Sequence, residues 1–191
     1  MRILLYIVFS LSAIWIVLTL WVQRTGPSKT WEFGRANNGP SVLVIFNPDP
    51  IYNLDEQICL SLGRALAENK LRVQVAIVAA AVNMKNQGDI FVLCANTYNW
   101  QPDRAISNFI RKHPSLKGKK VIAITLGAGS TGTSQQKFER LIKKQGANLV
   151  SSKSFWLLKP NDETRMKDSN VNVASEMSYK WGKEIAKSIY P

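Results

Sequence analysis

Histidine and cysteine are the scarcest chemically reactive residues in this sequence. The chain has 191 residues, of which one is a histidine, His113, and two are cysteines, Cys59 and Cys94. One histidine and two distant cysteines do not make a metal ligand set, so no metal site is predicted. His113 falls at the end of a predicted helix, where a cation suits the helix dipole, which favours a structural role over a catalytic triad. Two cysteines imply no disulfide framework, and a reducing compartment is acceptable.

Acidic residues are also few, with 13 Asp and Glu against 25 Lys and Arg, which gives a formal net charge of +12. Such an excess favours a polyanionic partner. We expect no nucleic acid, because zinc spacing, an aromatic-basic ribonucleoprotein motif and a convincing recognition helix are all missing. One basic cluster is either a solvated face or a docking surface for anionic lipid or an acidic redox partner; it comprises Arg111, Lys112, Lys117, Lys119 and Lys120.

The longest uncharged segment is residues 3–22, a run of 20 residues rich in Leu, Ile, Val, Phe and Trp. As a helix it would cover about 30 Å, the thickness of a bilayer core, so a purely soluble protein is not expected. A cleaved signal peptide is the alternative. Its apolar region is shorter, about 7–15 residues, and is followed by small residues that are missing here. The pattern therefore favours a retained single-pass anchor that contacts membrane lipid.

The cations that flank this run predict its orientation. Arg2 precedes it, whereas Arg24, Lys29 and Arg35 follow it. The side with more cations tends to stay in the cytoplasm, so we expect the C-terminal domain there.

Downstream of the anchor, short β-rich runs alternate with helical patterns. Residues 23–40 are predicted to be a linker, because Gly-Pro pairs and Gly34 break regular elements. Residues 41–191 form the predicted domain. Strands are expected near 42–46, 71–78, 89–95, 121–126 and 148–158, and helices near 54–69, 79–84, 102–112, 134–145 and 173–189, with a surface loop at 157–172. This alternation predicts an α/β fold: a doubly wound parallel sheet of five strands with helices on both faces.

Ligands of such sheets bind beyond the carboxyl ends of the strands. Those loops are residues 47–53, 96–101 and 127–133. The third strand and its loop, DIFVLCANTYNWQP, and the fourth, VIAITLGAGSTGT, resemble the flavodoxin-like family over roughly residues 41–190. The resemblance implies strand order 2-1-3-4-5 and FMN bound across the three loops.

By this resemblance, Tyr98 and Trp100 match the family's aromatic contacts to the isoalloxazine ring, and the Gly127 loop matches its second ring-binding loop. The predicted cofactor-binding residues are Asn47, Tyr52, Asn53, Asn96, Thr97, Tyr98, Asn99, Trp100, Gly127, Ala128, Gly129, Ser130 and Thr131. No catalytic side chain is identified.

The first loop departs from flavodoxins proper, in which hydroxyls and amides hold the flavin phosphate. Pro48 and Pro50 lack N–H donors, and Asp49 adds a negative charge. Pro48, Tyr52 and Asn53 are closer to the quinone-reductase branch of the same fold, but that branch has a histidine where Asn47 stands here.

Two functions follow as expectations. The first is a membrane-anchored FMN protein that acts in electron transfer or quinone-type reduction at the membrane surface. As an enzyme it would be an FMN-dependent NAD(P)H or quinone oxidoreductase. The second is a flavin-free interaction or assembly module that has lost the phosphate loop.

Overall fold

A computed structural model describes residues 2–84 and 88–190. Met1, at the start of the chain, and Pro191, at the end of the predicted domain, lie outside the described residues, as do residues 85–87. The helices are α1 (Arg2–Val22), α2 (Leu54–Glu68), α3 (Val78–Ala81), α4 (Arg104–Lys112), α5 (Gly132–Lys144) and α6 (Asn170–Ile189). The strands are β1 (Thr30–Phe33), β2 (Ser41–Phe46), β3 (Arg72–Ile77), β4 (Ile90–Tyr98), β5 (Gln101–Pro102), β6 (Lys120–Gly127) and β7 (Asn148–Trp156). Short 3-10 turns cover Pro114–Leu116 and Glu163–Arg165.

The first helix, α1, is exposed along its whole length apart from a few half-buried residues. It has 21 residues and a mean hydropathy of 2.5, and none of its residues is buried. A helix of this length and composition is long and apolar enough to cross a bilayer.

The sheet runs in the order β1-β3-β2-β4-β6-β7, and β5 pairs with β4 beside this path. The five strands β3, β2, β4, β6 and β7 are parallel and follow the predicted order 2-1-3-4-5, which is confirmed. The predicted number of strands was wrong, because the sheet has seven strands rather than five.

The first additional strand, β1, lies inside residues 23–40, which we predicted to be a linker. It pairs antiparallel with the edge of β3, in a register that sets Thr30 opposite Ala76. Gly and Pro interrupt this segment on either side of Thr30–Phe33 but not within it, so four residues remain free to pair. The Trp31 ring then stacks on the Phe46 ring, with centroids 5.9 Å apart.

Two apolar layers cover the sheet. One face packs against α2 and α6, and the other packs against α3, α4 and α5. The central strands are therefore buried on both sides, as their unbroken apolar runs predicted. In the first layer α2 and α6 approach closely at Gly182, where a Cβ atom would lie 2.8 Å from the Cβ of Ala65.

Two local predictions differ from the structure near the loops. Pro102 does not begin a helix, because it belongs to β5, the second additional strand, opposite Thr97. Instead Asp103 caps α4, with its side chain accepting a hydrogen bond from the Ile106 N–H. In addition, α6 begins at Asn170, inside the segment predicted as a loop.

Candidate functional site

A cleft opens where β2, β4 and β6 reach their carboxyl ends. The chain leaves β2 for β3 on one side and later returns to β4 on the other, so this is the switch point of the sheet, where such folds bind ligands. The cleft has a volume of about 170 Å³ and is lined by Asp49, Tyr52, Leu54, Asn96, Thr97, Tyr98, Leu126, Gly127, Ala128 and Leu157. Pockets that enclose a whole small ligand usually measure about 300–1,000 Å³. The cleft is therefore sized for part of a ligand, such as one edge of a ring system.

One wall of the cleft is built around Gly127. A Cβ atom at this position would lie 2.8 Å from Cγ2 of Thr131 and 3.2 Å from Cβ of Thr97, so a larger residue would require these side chains to shift. The segment after β7 holds this wall from behind, because the Leu157 N–H donates to the Gly127 carbonyl over 2.9 Å and the Leu158 N–H donates to the Ala128 carbonyl over 2.9 Å.

Beside that wall lies a polar atom without a protein partner. The hydroxyl oxygen of Thr97 is buried and forms no hydrogen bond with any residue of 2–84 or 88–190. A buried hydroxyl left unpaired is costly, so its presence in a cleft at the switch point is consistent with a bound polar ligand edge.

The opposite side of the cleft is the loop between β2 and α2, and Asp49 organises it. One carboxylate oxygen of Asp49 accepts hydrogen bonds from the Ile51 N–H, at 2.8 Å, and from the Tyr52 N–H, at 3.0 Å. The other oxygen accepts from the Tyr98 hydroxyl at 2.5 Å. Asp49 therefore binds, from within the chain, two of the backbone donors that this loop could offer to an external anion.

A second carboxylate, Asp55, lies beneath this loop in the first turn of α2. Its side chain accepts from the Asp49 N–H at 2.6 Å and from Nδ2 of Asn96 at 2.8 Å. Burial raises the pKa of the Asp55 carboxyl from 3.8 to about 6, although these hydrogen bonds oppose the shift. Asn96 also donates to the Asn47 carbonyl at 3.0 Å, so it ties β4 to the start of the first loop.

Asp103 is a third buried carboxylate at the same edge. It accepts from the Ile106 N–H at 2.9 Å and from the Asn96 N–H at 3.2 Å. Burial raises its pKa from 3.8 to about 7, even though both hydrogen bonds lower it. Burial, followed by the hydrogen bond to Asp49, also raises the pKa of Tyr98, so its hydroxyl stays protonated and remains a donor.

The turn between β4 and β5 has an unusual backbone. Asn99 and Trp100 both adopt positive φ angles, 51° and 56°, as the two central residues of a type I′ hairpin turn do. For residues other than glycine this conformation costs roughly 1–2 kcal/mol each. The turn leaves the Trp100 side chain 63% exposed.

The structure brings six of the predicted cofactor-binding residues together around the cleft: Tyr52, Asn96, Thr97, Tyr98, Gly127 and Ala128. The other seven do not line it: Asn47, Asn53, Asn99, Trp100, Gly129, Ser130 and Thr131. Asn47 is buried and faces the segment after α1, since its side chain accepts from the Gly26 N–H and donates to the Arg24 carbonyl, both at 3.0 Å. The Thr131 hydroxyl accepts from the Trp156 indole N–H at 2.9 Å.

Four residues of the lining were not predicted: Asp49, Leu54, Leu126 and Leu157. Asp49 had been recognised only as a negative charge opposed to phosphate. An Asp side chain in a turn often accepts hydrogen bonds from the backbone N–H groups two or three residues further along the chain. This pattern could have predicted the hydrogen bonds from Ile51 and Tyr52 to Asp49. Leu157 could not be found in this way, because it reaches the cleft only through the path of the chain after β7.

Comparison with known proteins agrees with this architecture. No protein-family model matches the sequence, and no curated protein matches it significantly. Among solved structures, the chain is similar to a Fusobacterium nucleatum flavodoxin bound to flavin mononucleotide, with 15% identity, a TM-score of 0.54, and coverage of 78% of this chain and 99% of that one. It is also similar to the oxidised flavodoxin 1 of Bacillus cereus, with 18% identity, a TM-score of 0.52, and coverage of 75% and 97%.

A third similar structure is the rubredoxin oxygen:oxidoreductase of Desulfovibrio gigas, at 9% identity and a TM-score of 0.56; the match covers 79% of this chain and 37% of that one. At these identities the likeness concerns the fold. The chain is therefore an α/β protein with a flavodoxin-like fold, preceded by one apolar helix.

The two halves of the cleft differ in how well they suit FMN. The half formed by Thr97, Tyr98 and Gly127 suits a flat ring, since it offers an aromatic side chain, a free hydroxyl and a glycine wall. The half formed by the first loop does not suit a phosphate dianion. Its Ile51 and Tyr52 amides are occupied by Asp49, whose carboxylate would also repel the phosphate.

Proposed function

We propose that this protein is a membrane-anchored electron-transfer protein whose cleft binds the isoalloxazine ring of a flavin, FMN or riboflavin alike, because the first loop offers no site for the FMN phosphate. One observation carries the proposal: a glycine-walled cleft at the switch point of a flavodoxin-like sheet, with the unpaired Thr97 hydroxyl beside it. The residues would bind and orient the ring, and the flavin would supply the redox chemistry.

The surface around the cleft supports exchange of electrons with another molecule. Large apolar side chains next to the lining residues are exposed: Ile51 at 58%, Trp100 at 63% and Leu158 at 74%. Exposed apolar groups that surround a cleft are typical of surfaces that contact a partner or an apolar substrate. A membrane quinone is one acceptor of this kind, because α1 would hold the cleft near the bilayer.

Flavin titration of the full chain in lipid nanodiscs tests the proposal. We expect flavin fluorescence to be quenched with micromolar affinity, and the flavin absorption spectrum to shift on binding. Ala128→Trp should abolish both effects, because Ala128 lines the cleft and an indole would fill it. Ser130→Trp is the matched control, since Ser130 is exposed in the same loop outside the cleft. Lack of quenching at tens of micromolar flavin would refute the proposal.

The second candidate is the flavin-free interaction module. The Asp49 hydrogen bonds to the Ile51 and Tyr52 amides favour it, because they leave the first loop complete without a ligand. In that case neither FMN nor riboflavin would bind, and the native chain and Ala128→Trp would both leave flavin fluorescence unquenched.

A further inference from the structure

A second and larger cavity lies between α4 and α5, and Tyr98 lines both this cavity and the cleft. It has a volume of about 670 Å³, and five of its lining residues are cations: Arg104 and Arg111 on α4, and Lys137, Arg140 and Lys144 on α5. We refer to it as the basic groove. Among residues 2–84 and 88–190, no Asp or Glu lines it.

The spacing of these cations makes the groove continuous. Lys137, Arg140 and Lys144 follow one another at intervals of three and four residues, which places them on one face of α5. Arg104 and Arg111 are seven residues apart, two turns along α4, so they also share a face. Like charges three and four residues apart on α5 repel each other, and a bound anion would offset this repulsion.

The five cations have no acidic partner within the described ranges 2–84 and 88–190: the ion pairs found there all involve other residues. Arg111 donates to Asn108 at 3.2 Å and Arg140 donates to Gln136 at 3.5 Å, and both acceptors are neutral amide oxygens. The positive charge of the groove is therefore available to an external anion.

The position of the groove identifies the kind of anion. Thr19 and Gln23, in the last turn of α1 and just beyond it, line the same cavity. A helix of about 20 residues spans the hydrocarbon core, so the end of α1 lies at the level of the lipid headgroups. The guanidinium of Arg24 lies 5.2 Å from the centre of the Trp21 ring, and Trp and Arg are typical of this layer. The groove thus opens beside the end of the membrane helix.

We propose that the basic groove binds the phosphate headgroups of anionic phospholipids and so fixes the orientation of the domain on the membrane. This rests on the anchoring part of the proposed function and is independent of flavin binding. Cations near an anionic leaflet each contribute about fivefold to membrane affinity. The groove differs from the basic cluster predicted from the sequence, since only Arg111 belongs to both. Of the remainder, Lys120 donates to the Ile189 carbonyl at 3.2 Å.

The test uses the full chain in a mild detergent, mixed with equal amounts of phosphatidylglycerol and phosphatidylcholine that carry the same acyl chains. Native mass spectrometry then counts the lipids of each class that stay bound. We expect at least a tenfold preference for phosphatidylglycerol. The double variant Lys137→Glu and Arg140→Glu should reduce this preference at least tenfold.

The matched control is Lys112→Glu with Lys117→Glu. It changes the net charge equally at exposed positions that do not line the groove, and it should keep the preference. Equal loss in both double variants would show that only net charge matters, and no preference in the native chain would point to an acidic protein partner instead. Either result would overturn the proposal. Failure of the chain to enter the nanodiscs used for the flavin titration would instead refute the membrane anchor.

Discussion

Removal of the Asp49 carboxylate should change which flavin this protein prefers. In the native chain a flavin phosphate at the first loop must displace Asp49 from the Ile51 and Tyr52 amides, at 2.8 and 3.0 Å. Hydrogen bonds to charged groups contribute about 1.5–3 kcal/mol each, so displacing both costs about 3–6 kcal/mol. The phosphate should therefore add nothing to affinity, and the native chain should bind FMN no more tightly than riboflavin.

The variant Asp49→Ala frees both amides and removes one negative charge. We expect the ratio of FMN affinity to riboflavin affinity to rise at least tenfold, which is a conservative fraction of the calculated cost. The ratio is the informative quantity, because loss of the Tyr98 hydrogen-bond acceptor affects the ring of both ligands equally. Fluorescence titration of the full chain in nanodiscs measures both affinities.

Asp162→Ala is the control for this experiment. Asp162 also accepts a hydrogen bond from a backbone amide two residues ahead, that of Thr164 at 2.9 Å, but it does not line the cleft. Its removal should leave the ratio unchanged. A ratio that stays within twofold of the native value in Asp49→Ala would refute the assignment of Asp49 as the internal occupant of the phosphate position.

Three further substitutions test the fold and the loops. Gly182→Ala should lower the free energy of unfolding by about 1–3 kcal/mol, because the new methyl group would lie 2.8 Å from the Cβ atom of Ala65. Gly132→Ala is the control: its methyl group would have no described atom within 4 Å, so the substitution should be neutral or stabilising. Asp103→Asn should flatten the pH dependence of unfolding. The native pKa of about 7, against 3.8 for a free Asp, predicts that up to ~4 kcal/mol of stability present below pH 4 is lost as pH rises to 7. Asn170→Ala should lower the free energy of unfolding by about 2–3 kcal/mol and weaken flavin binding, because Asn170 holds the carbonyls after β7.

Chemical denaturation of the full chain in detergent checks all three, with titration added for Asn170→Ala. Equal stabilities of the two glycine variants would contradict the close packing of α2 on α6. A pH profile of Asp103→Asn that matches the native profile would contradict the buried acid. For Asn170→Ala the control is Asn83→Ala, whose exposed side chain makes one long contact of 3.4 Å. Equal effects of these two would show that the segment after β7 does not shape the cleft.

The parallel core of the fold could be predicted from the sequence because its strands are buried on both faces. Such strands read as unbroken apolar runs, and their alternation with helices leaves few topologies. The edge strand β1 could not be predicted in the same way. It has four residues, half exposed, and it forms only because the edge of β3 is available to pair with it.

The site was predictable in position but only partly in detail. Strand order and loop composition located the cleft, and it is lined by Tyr98 and Gly127 from the loops after the third and fourth predicted strands. The role of Asp55 was not predictable from helical periodicity. An acidic residue in a first turn normally suits the helix dipole at the surface, whereas here the path of the first loop covers it. Long-range contacts of this kind depend on tertiary structure.

Hydrogen exchange of the full chain in nanodiscs, with and without riboflavin, tests whether the cleft binds the flavin ring. If the cleft binds the flavin ring, the backbone amides of residues 96–98 and 126–128 should exchange more slowly with riboflavin present. The amides of Ile51 and Tyr52, already bound by Asp49, should change little. Unchanged exchange at 96–98 and 126–128, or protection confined to another surface, would contradict the account.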